Sequence, residues 1–196
     1  FLLIFLVALF LRTYRISVLT TFGRDQGIDF QTVKQMIDER KPTLLGIQVS
    51  LAEFHQGPIY LYILIPLFVL LKFDPLAGAY TAVVMSLFTL IALYITVKKY
   101  FSRFQALWSI ALFAVSPEFV REGNSPLYQH FLPFFLIIAI YVFLKLFEKK
   151  DQKRQLLWSL FLGFIVGICL EIHYLAITFA LAIFIMILVK QSKRFL

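Results

Sequence analysis

The chain is 196 residues long, and 61% of its residues are hydrophobic while only 15% are charged. A typical soluble domain has about 45–50% apolar and about 25% charged residues. The composition therefore excludes a disordered chain, a collagen-like chain, a coiled coil and most soluble enzymes. Because the apolar residues fall in blocks close to the roughly 20 residues that cross a bilayer core, the sequence predicts an integral membrane protein.

The formal net charge is +8, from 19 Lys and Arg residues against 11 Asp and Glu residues. In a membrane protein such an excess is typical of cytoplasmic loops, which lie beside anionic lipid headgroups. We therefore expect membrane lipids as partners, and no nucleic acid. The single cysteine, Cys169, lies in an apolar block and indicates neither a disulfide framework nor a thiol metal site.

Seven apolar blocks predict helices. The chain starts inside the first block, without Met, and stops shortly after a basic cluster, so we expect a fragment of a longer protein whose first span is truncated. In chain order the blocks are Phe1–Leu11, Ile59–Leu71, Leu76–Val97, Phe104–Val115, Phe131–Leu144, Leu156–Leu170 and Tyr174–Val189.

Three basic clusters predict which helix ends face the cytoplasm. All three lie on that side only if Ile59–Leu71 does not cross the membrane. That block is short for a span, ~20 Å as a helix, and Pro66 interrupts it, so we expect an interfacial or re-entrant helix on the outer face. The clusters are Lys98, Lys99 and Arg103; Lys145, Lys149, Lys150, Lys153 and Arg154; and Lys190, Lys193 and Arg194.

The predicted fold class is therefore all-α, a polytopic membrane helical bundle with about six spanning helices in the fragment. Outer-face juxtamembrane helices follow the first span. We expect one unit over residues 1–196, made of a truncated first span (1–11), an outer loop with juxtamembrane helices (12–75) and five further spans (76–196).

Polar side chains from three outer loops can converge on one outer-face site under this topology, and polar groups in membrane proteins often mark function. In a helix, Asp25 and Asp29 would share a face, ahead of an amphipathic helix over Phe30–Arg40. Such a pair can act as a general base or hold a divalent cation. The alternative is a solvated loop in which Asp25 pairs with Arg24 and Asp29 caps the helix.

Arg121 and Asn124 lie at a predicted outer helix end, where a cation can hold a phosphate. The alternative for Arg121 is an ion pair with Glu118 or Glu122. His55 and His173 are candidate ligand contacts in outer turns, or else ordinary polar turn residues. The sequence has no Gly-rich phosphate loop and no Asp-x-Asp pair, which argues against a nucleotide donor. Intramembrane charge is nearly absent, which argues against an ion-coupled transporter.

Four features resemble the N-terminal half of integral membrane glycosyltransferases of the C type. Within that class they look like the dolichyl-phosphate-mannose protein mannosyltransferases and their bacterial relatives, including the lipid A aminoarabinose transferases. The features are the acidic segment Arg24-Asp25-Gln26-Gly27-Ile28-Asp29 after the first span, the segment Gly57-Pro58-Ile59-Tyr60-Leu61-Tyr62, Ser116-Pro117 followed by Arg121 and Asn124, and His173-Tyr174 before the last helix.

The resemblance implies inverting transfer of a sugar from a polyprenyl-phosphate donor to a hydroxyl of a protein, lipid or glycan acceptor. It implies a multi-pass enzyme with its active site on the extracytoplasmic face, which we place in the plasma membrane. Asp25 matches the general base of the family, and Arg121 and His173 would stabilise the departing phosphate. We assign substrate binding to Arg24, Asp29, His55, Arg121, Asn124 and His173, with no metal ligand set and a divalent cation left open.

Many relatives carry Asp-Glu where this chain has Asp25-Gln26. The residue that takes the place of that Glu is therefore not assigned, and Asp29 is the candidate to replace it. A second function stays open from the residues alone, namely a non-enzymatic membrane carrier or scaffold for lipid-linked glycans. That function predicts that Asp25→Asn is tolerated.

Overall fold

A computed structural model describes residues 1–46, 48, 54–148 and 151–192 of the chain. These residues form helices, without a strand beyond an isolated antiparallel bridge between Gln48 and His55, so the all-α prediction is confirmed. The helices are Leu2–Thr13 (α1), Ile16–Leu19 (α2), Arg24–Asp38 (α3), Ile59–Leu70 (α4), Leu76–Tyr100 (α5), Arg103–Val115 (α6), Pro117–Glu122 (α7), Leu132–Glu148 (α8), Gln152–Ile172 (α9) and Ala176–Ser192 (α10), with a 3₁₀ turn at Tyr128–Phe131.

Three helical segments are long and apolar enough to cross a membrane: Leu76–Tyr100, Tyr128–Glu148 and Gln152–Ile172. The helices α1, α4 and α6 and the apolar part of α10 are shorter. The number of six spans therefore remains a prediction. Three of the predicted spans correspond to helices that are long enough to cross a membrane.

Short polar residues set where several helices begin. Ser102 Oγ accepts a hydrogen bond of 3.1 Å from the backbone amide of Gln105 and caps α6. Asp151 Oδ1 accepts one of 3.1 Å from the amide of Lys153 and caps α9. Both bonds satisfy amides that a helix start leaves without an intrahelical partner.

The long helix α5 is the centre of the bundle and packs against α1, α4, α6 and α8. Its buried face carries small residues such as Ala79 and Ala82, which let neighbouring backbones approach closely. The hydroxyls of Thr81, Thr89 and Thr96 each donate to the carbonyl four residues earlier, so their polar atoms stay satisfied inside the bundle. The helices α8 and α9 form a second packed pair, which α10 extends.

Basic side chains gather at the end of the bundle where α5 and α8 finish. Lys99 Nζ and Lys145 Nζ lie 3.5 Å and 3.1 Å from Glu148 Oε2. Lys153 and Arg154 begin α9 a few residues later, so they lie at the same end. The predicted cluster members Lys149, Lys150, Lys193 and Arg194 lie outside the described residues, and so does the side chain of Lys190.

Both ends of α4 lie near the start of α5, at the end of the bundle that is opposite the basic side chains Lys99 and Lys145. The Tyr60 hydroxyl donates to the Pro126 carbonyl at 2.5 Å, and Pro126 also lies against Gly78 in the first turn of α5. Near the other end of α4, the Phe68 ring is 4.5 Å from the Phe30 ring, which lies against the same Gly78. We call this end, opposite Lys99 and Glu148, the outer end.

A fully buried arginine at the end of α1 holds the turn between α6 and α7. Arg12 donates to the Ser86 hydroxyl at 2.7 Å and to the carbonyls of Ala114, Phe113 and Phe119 at 3.1, 3.1 and 3.2 Å. The carbonyls of Phe113 and Ala114 belong to the end of α6, where a helix leaves its last carbonyls without intrahelical partners. Nothing in the sequence pattern indicated this role, because a basic residue directly after an apolar block is typical of the polar end of a membrane helix.

Candidate active site

The segment that carries both aspartates is helical from Arg24 onward, six residues earlier than the start predicted at Phe30. Gln26 Oε1 accepts a hydrogen bond of 2.8 Å from the backbone amide of Gly23, which fixes this start. Glu or Gln fills this position in a capping box. Gln26 therefore acts as a cap residue of α3, and Asp25 and Asp29 stand one helical turn apart on this helix.

The two carboxylates of α3 have different surroundings. Asp25 is exposed and makes no ion pair within the described part of the chain, whereas Asp29 is only 3% exposed. The alternative arrangement, with Asp25 paired to Arg24 and Asp29 as the cap, is therefore wrong. Burial, and then the charge of Asp25, raise the pKa of Asp29 to about 7.

A row of side chains from Asp29 to His173 spans four elements. The helix α3, which carries Asp29, packs against α4, which carries Tyr60, and ring contacts continue from Tyr60. Burial, and then the charge of Asp29, raise the pKa of the Tyr60 hydroxyl well above its usual value. The Tyr60 ring lies 6.2 Å from the Tyr128 ring, and Tyr128 stacks on His173 with centroids 5.6 Å apart. Asp29, Tyr60, Tyr128 and His173 thus bring α3, α4, the 3₁₀ turn and the end of α9 to one place at the outer end.

His173 ends α9 with a defined tautomer. Its Nδ1 accepts a hydrogen bond of 3.1 Å from the amide of Leu175, and its ring stacks on Tyr174 at 4.8 Å. Burial lowers the pKa of His173 below its usual value, so the imidazole is neutral at pH 7. A neutral ring that accepts at Nδ1 carries its proton at Nε2, where it can donate to an oxygen of a substrate.

The loop before α4 is fastened to the end of α9. The amide of Gly57 donates to the carbonyl of Glu171 at 3.0 Å. A Cβ on Gly57 would collide with the Glu171 side chain, so the close approach requires glycine at this position. His55 is exposed two residues earlier, on the strand-like bridge to Gln48.

The other predicted site residues lie at different distances from this row. Asn124 is buried and precedes Pro126, whose carbonyl accepts from Tyr60. Arg121 is exposed and pairs with Glu118 at 2.5 Å, which is the alternative stated for it above. Within the described residues, neither Arg121 nor Arg24 contacts the side chains of the row from Asp29 to His173.

The site offers few ligands for a metal ion. Within the described ranges, no three His, Cys, Asp or Glu side chains come together in a way that could hold one. Asp25 and Asp29 are the one carboxylate pair that the structure brings together here.

A family model described as dolichyl-phosphate-mannose-protein mannosyltransferase matches residues 55–196. The chain belongs to this family. No curated protein and no solved structure matches the chain in the same comparisons. As a member of the dolichyl-phosphate-mannose-protein mannosyltransferase family, the chain is an integral membrane glycosyltransferase of the C type, with a lipid-linked sugar donor and a glycosylation acceptor. The family resemblance predicted from the sequence is confirmed.

The family match has a boundary that bears on the site. It includes His55, Arg121, Asn124 and His173 but begins after α3, so both aspartates lie outside it. The roles of Asp25 and Asp29 rest on the geometry of α3 and on the motif resemblance. Tyr60 lies in the segment Gly57–Tyr62 of the family resemblance, but it was not among the predicted site residues, and neither was Tyr128, because tyrosines beside apolar blocks are typical interfacial anchors.

Proposed function

We propose that the chain is the N-terminal part of an inverting enzyme that transfers a sugar from a polyprenyl-phosphate donor to an acceptor hydroxyl. The reaction takes place at the outer end, on the extracytoplasmic face of the plasma membrane. The observation that supports this proposal is the row from Asp29 to His173. It gathers a carboxylate pair and a neutral imidazole opposite the basic end of the bundle.

In this proposal Asp25 is the general base. It is exposed in the first turn of α3 and free of ion pairs among the described residues, so an acceptor hydroxyl can reach it. Asp25 takes the hydroxyl proton while the acceptor oxygen forms a bond to the anomeric carbon. The bond from that carbon to the phosphate oxygen breaks on the opposite side, which inverts the configuration.

The leaving group is a polyprenyl phosphate, whose oxygen keeps the electron pair of the broken bond. His173 Nε2–H can donate to that oxygen, and Arg121 adds a positive charge. The ion pair of Arg121 with Glu118 is solvent-exposed, and exposed pairs contribute only about 0–1 kcal/mol. A phosphate can therefore take the place of Glu118 at low cost.

Asp29 has a binding role in this scheme. With its pKa at about 7, a substantial fraction of Asp29 is protonated at neutral pH and can donate a hydrogen bond to a sugar or acceptor oxygen. Arg24, His55 and Asn124 complete the proposed contacts with the donor and with a protein, lipid or glycan acceptor.

A transfer assay with the complete parent protein tests the proposal. Membranes that contain the protein are given a labelled polyprenyl-phosphate sugar or, in parallel, the corresponding nucleotide sugar. We expect label to reach the acceptor from the lipid-linked donor alone, with inverted anomeric configuration. A carrier or scaffold would move the labelled lipid between leaflets or partners and form no glycosylated product.

A further inference from the structure

The loop before α4 holds a buried glutamine in a fixed place. Gln56 is 5% exposed, and its carbonyl accepts a hydrogen bond of 2.9 Å from the amide of Gly46. The next residue, Gly57, is bonded through its amide to Glu171 at the end of α9. These two bonds tie the backbone of Gln56 to Gly46 and, through Gly57, to the end of α9.

The side-chain amide nitrogen of Gln56 has no hydrogen-bond acceptor. Its Nε2 atom is buried, and no acceptor of the described chain lies within reach of it. A buried N–H group without an acceptor is unfavourable, and most buried polar groups of native proteins are paired. An unpaired donor that the fold holds in place is what a ligand oxygen would satisfy on binding.

Gln56 lies between the two halves of the proposed site. Pro58 and Tyr60 follow it at the start of α4, and on one side α4 packs against α3, the helix of Asp29. Gly57 touches Glu171, two residues before His173, on the other side. A ligand that spans from α3 to the end of α9 therefore passes this loop.

We propose that Gln56 is a ligand-binding residue whose Nε2–H group donates to an oxygen of the lipid-linked donor's headgroup. That oxygen belongs either to a sugar hydroxyl or to the phosphate. This inference rests on the proposed function, because it takes the ligand to be the donor of that reaction. It adds a contact that neither the motifs nor the candidate residues of the sequence include.

The test measures binding and stability separately in the purified complete protein. Gln56→Met keeps the length of the side chain and removes the unpaired donor. Gln129→Met is the matched control, at an exposed glutamine of the 3₁₀ turn. The thermal unfolding midpoint of each protein is titrated with a polyprenyl phosphate and, separately, with a polyprenyl-phosphate mannose.

We expect Gln56→Met to unfold at the wild-type temperature or above it without ligand, and to bind the donor about 10-fold more weakly. Weaker binding of both lipids would assign the phosphate as the partner of Gln56, and weaker binding of the mannose-bearing lipid alone would assign a sugar hydroxyl. Wild-type affinity for both lipids would overturn the inference. If Gln56→Met does not fold, Gln56→Leu gives the same comparison.

The proposed function fails by a different result. A wild-type protein that binds the mannose-bearing lipid but transfers no sugar would contradict the proposed reaction and leave the binding role of Gln56 standing. If the wild-type protein transfers sugar but Gln56→Met binds both lipids as the wild type does, the proposed function stands and the binding role of Gln56 fails.

Discussion

The Arg12 side chain donates a hydrogen bond of 2.7 Å from Nε to the Ser86 hydroxyl, 74 positions further along the chain. The same guanidinium satisfies the carbonyls at the end of α6, so one residue joins α1, α5 and the α6–α7 turn. Gly123 lies so close that a Cβ on it would be 2.6 Å from Arg12 Nε. The segment that carries Arg121 and Asn124 is therefore positioned from inside the bundle.

Replacing Arg12 by Met should destabilise the fold. The change leaves the carbonyls of Phe113 and Ala114 without their donor, and we expect a loss of about 3 kcal/mol in the free energy of unfolding. Chemical unfolding in detergent measures it. Arg15→Met is the control, because Arg15 is exposed three positions later, and it should change the stability by less than about 0.5 kcal/mol. Equal stability of both variants would contradict the role of Arg12.

The contact between Gly57 and Glu171 predicts a paired mutational effect. Gly57→Ala should lower both thermal stability and sugar transfer, because the added Cβ collides with the Glu171 side chain. Gly57→Ala combined with Glu171→Gly should recover much of the lost stability, since the colliding atoms are then removed. Gly163→Ala is the control, because a Cβ built there meets no atom within 4 Å from another part of the described chain. Strictly additive effects in the double variant would contradict the contact.

Asp29 predicts a pH-dependent stability. Its pKa is raised from 3.8 to about 7 in the folded protein, so between these values the folded state binds more protons than the unfolded state. Stability therefore falls as the pH rises from about 4 to about 7, and stays low above that range. Asp29→Asn should unfold at a higher temperature than wild type at pH 8, by the equivalent of roughly 2–4 kcal/mol.

The advantage of Asp29→Asn should shrink as the pH is lowered from 7 towards 4, because the wild-type carboxyl is then protonated in the folded state. Thermal unfolding across this pH range checks it, with Asp38→Asn as an exposed control on the same helix. A stability difference that does not change with pH would contradict the buried position of Asp29.

Cysteine labelling checks the position of α4. In a Cys169→Ala background, Lys41→Cys precedes α4, Lys72→Cys follows it and Lys153→Cys begins α9 at the basic end, all three at exposed positions. An impermeant maleimide added to intact cells should label the first two variants and not the third. Labelling of only one of Lys41→Cys and Lys72→Cys would mean that α4 crosses the membrane.

The helical fold could be predicted because apolar block length and basic clusters report directly on membrane crossing. The start of α3 was missed, since the segment around Gly23 and Gly27 has the composition of a loop, while its cap depends on one side chain, Gln26. Short blocks gave less information. The apolar blocks that became α4 and α6 are similar in length, and both helices pack against α5, so block length alone does not tell their roles apart.

The candidate site could be predicted in part. The sequence pattern proposed the carboxylates of α3 and His173 as site residues, because charged and polar residues stand out in an apolar chain, and that assignment stays a prediction. It could not predict the unpaired amide of buried Gln56 or the hydrogen bond of Tyr60 to Pro126, because both depend on how distant parts of the chain pack. It also gave no means of telling exposed Asp25 from buried Asp29, since both occupy the same short segment.

Sugar transfer by Asp25→Asn, compared with Asp38→Asn at matched expression in the complete parent protein, tests the central claim most directly. Both substitutions neutralise an exposed carboxylate of α3, but only Asp25 is the proposed general base. We predict that Asp25→Asn lowers transfer from a labelled polyprenyl-phosphate sugar by about 100-fold or more, while Asp38→Asn stays near wild type. Equal transfer by the two variants would contradict catalysis by Asp25.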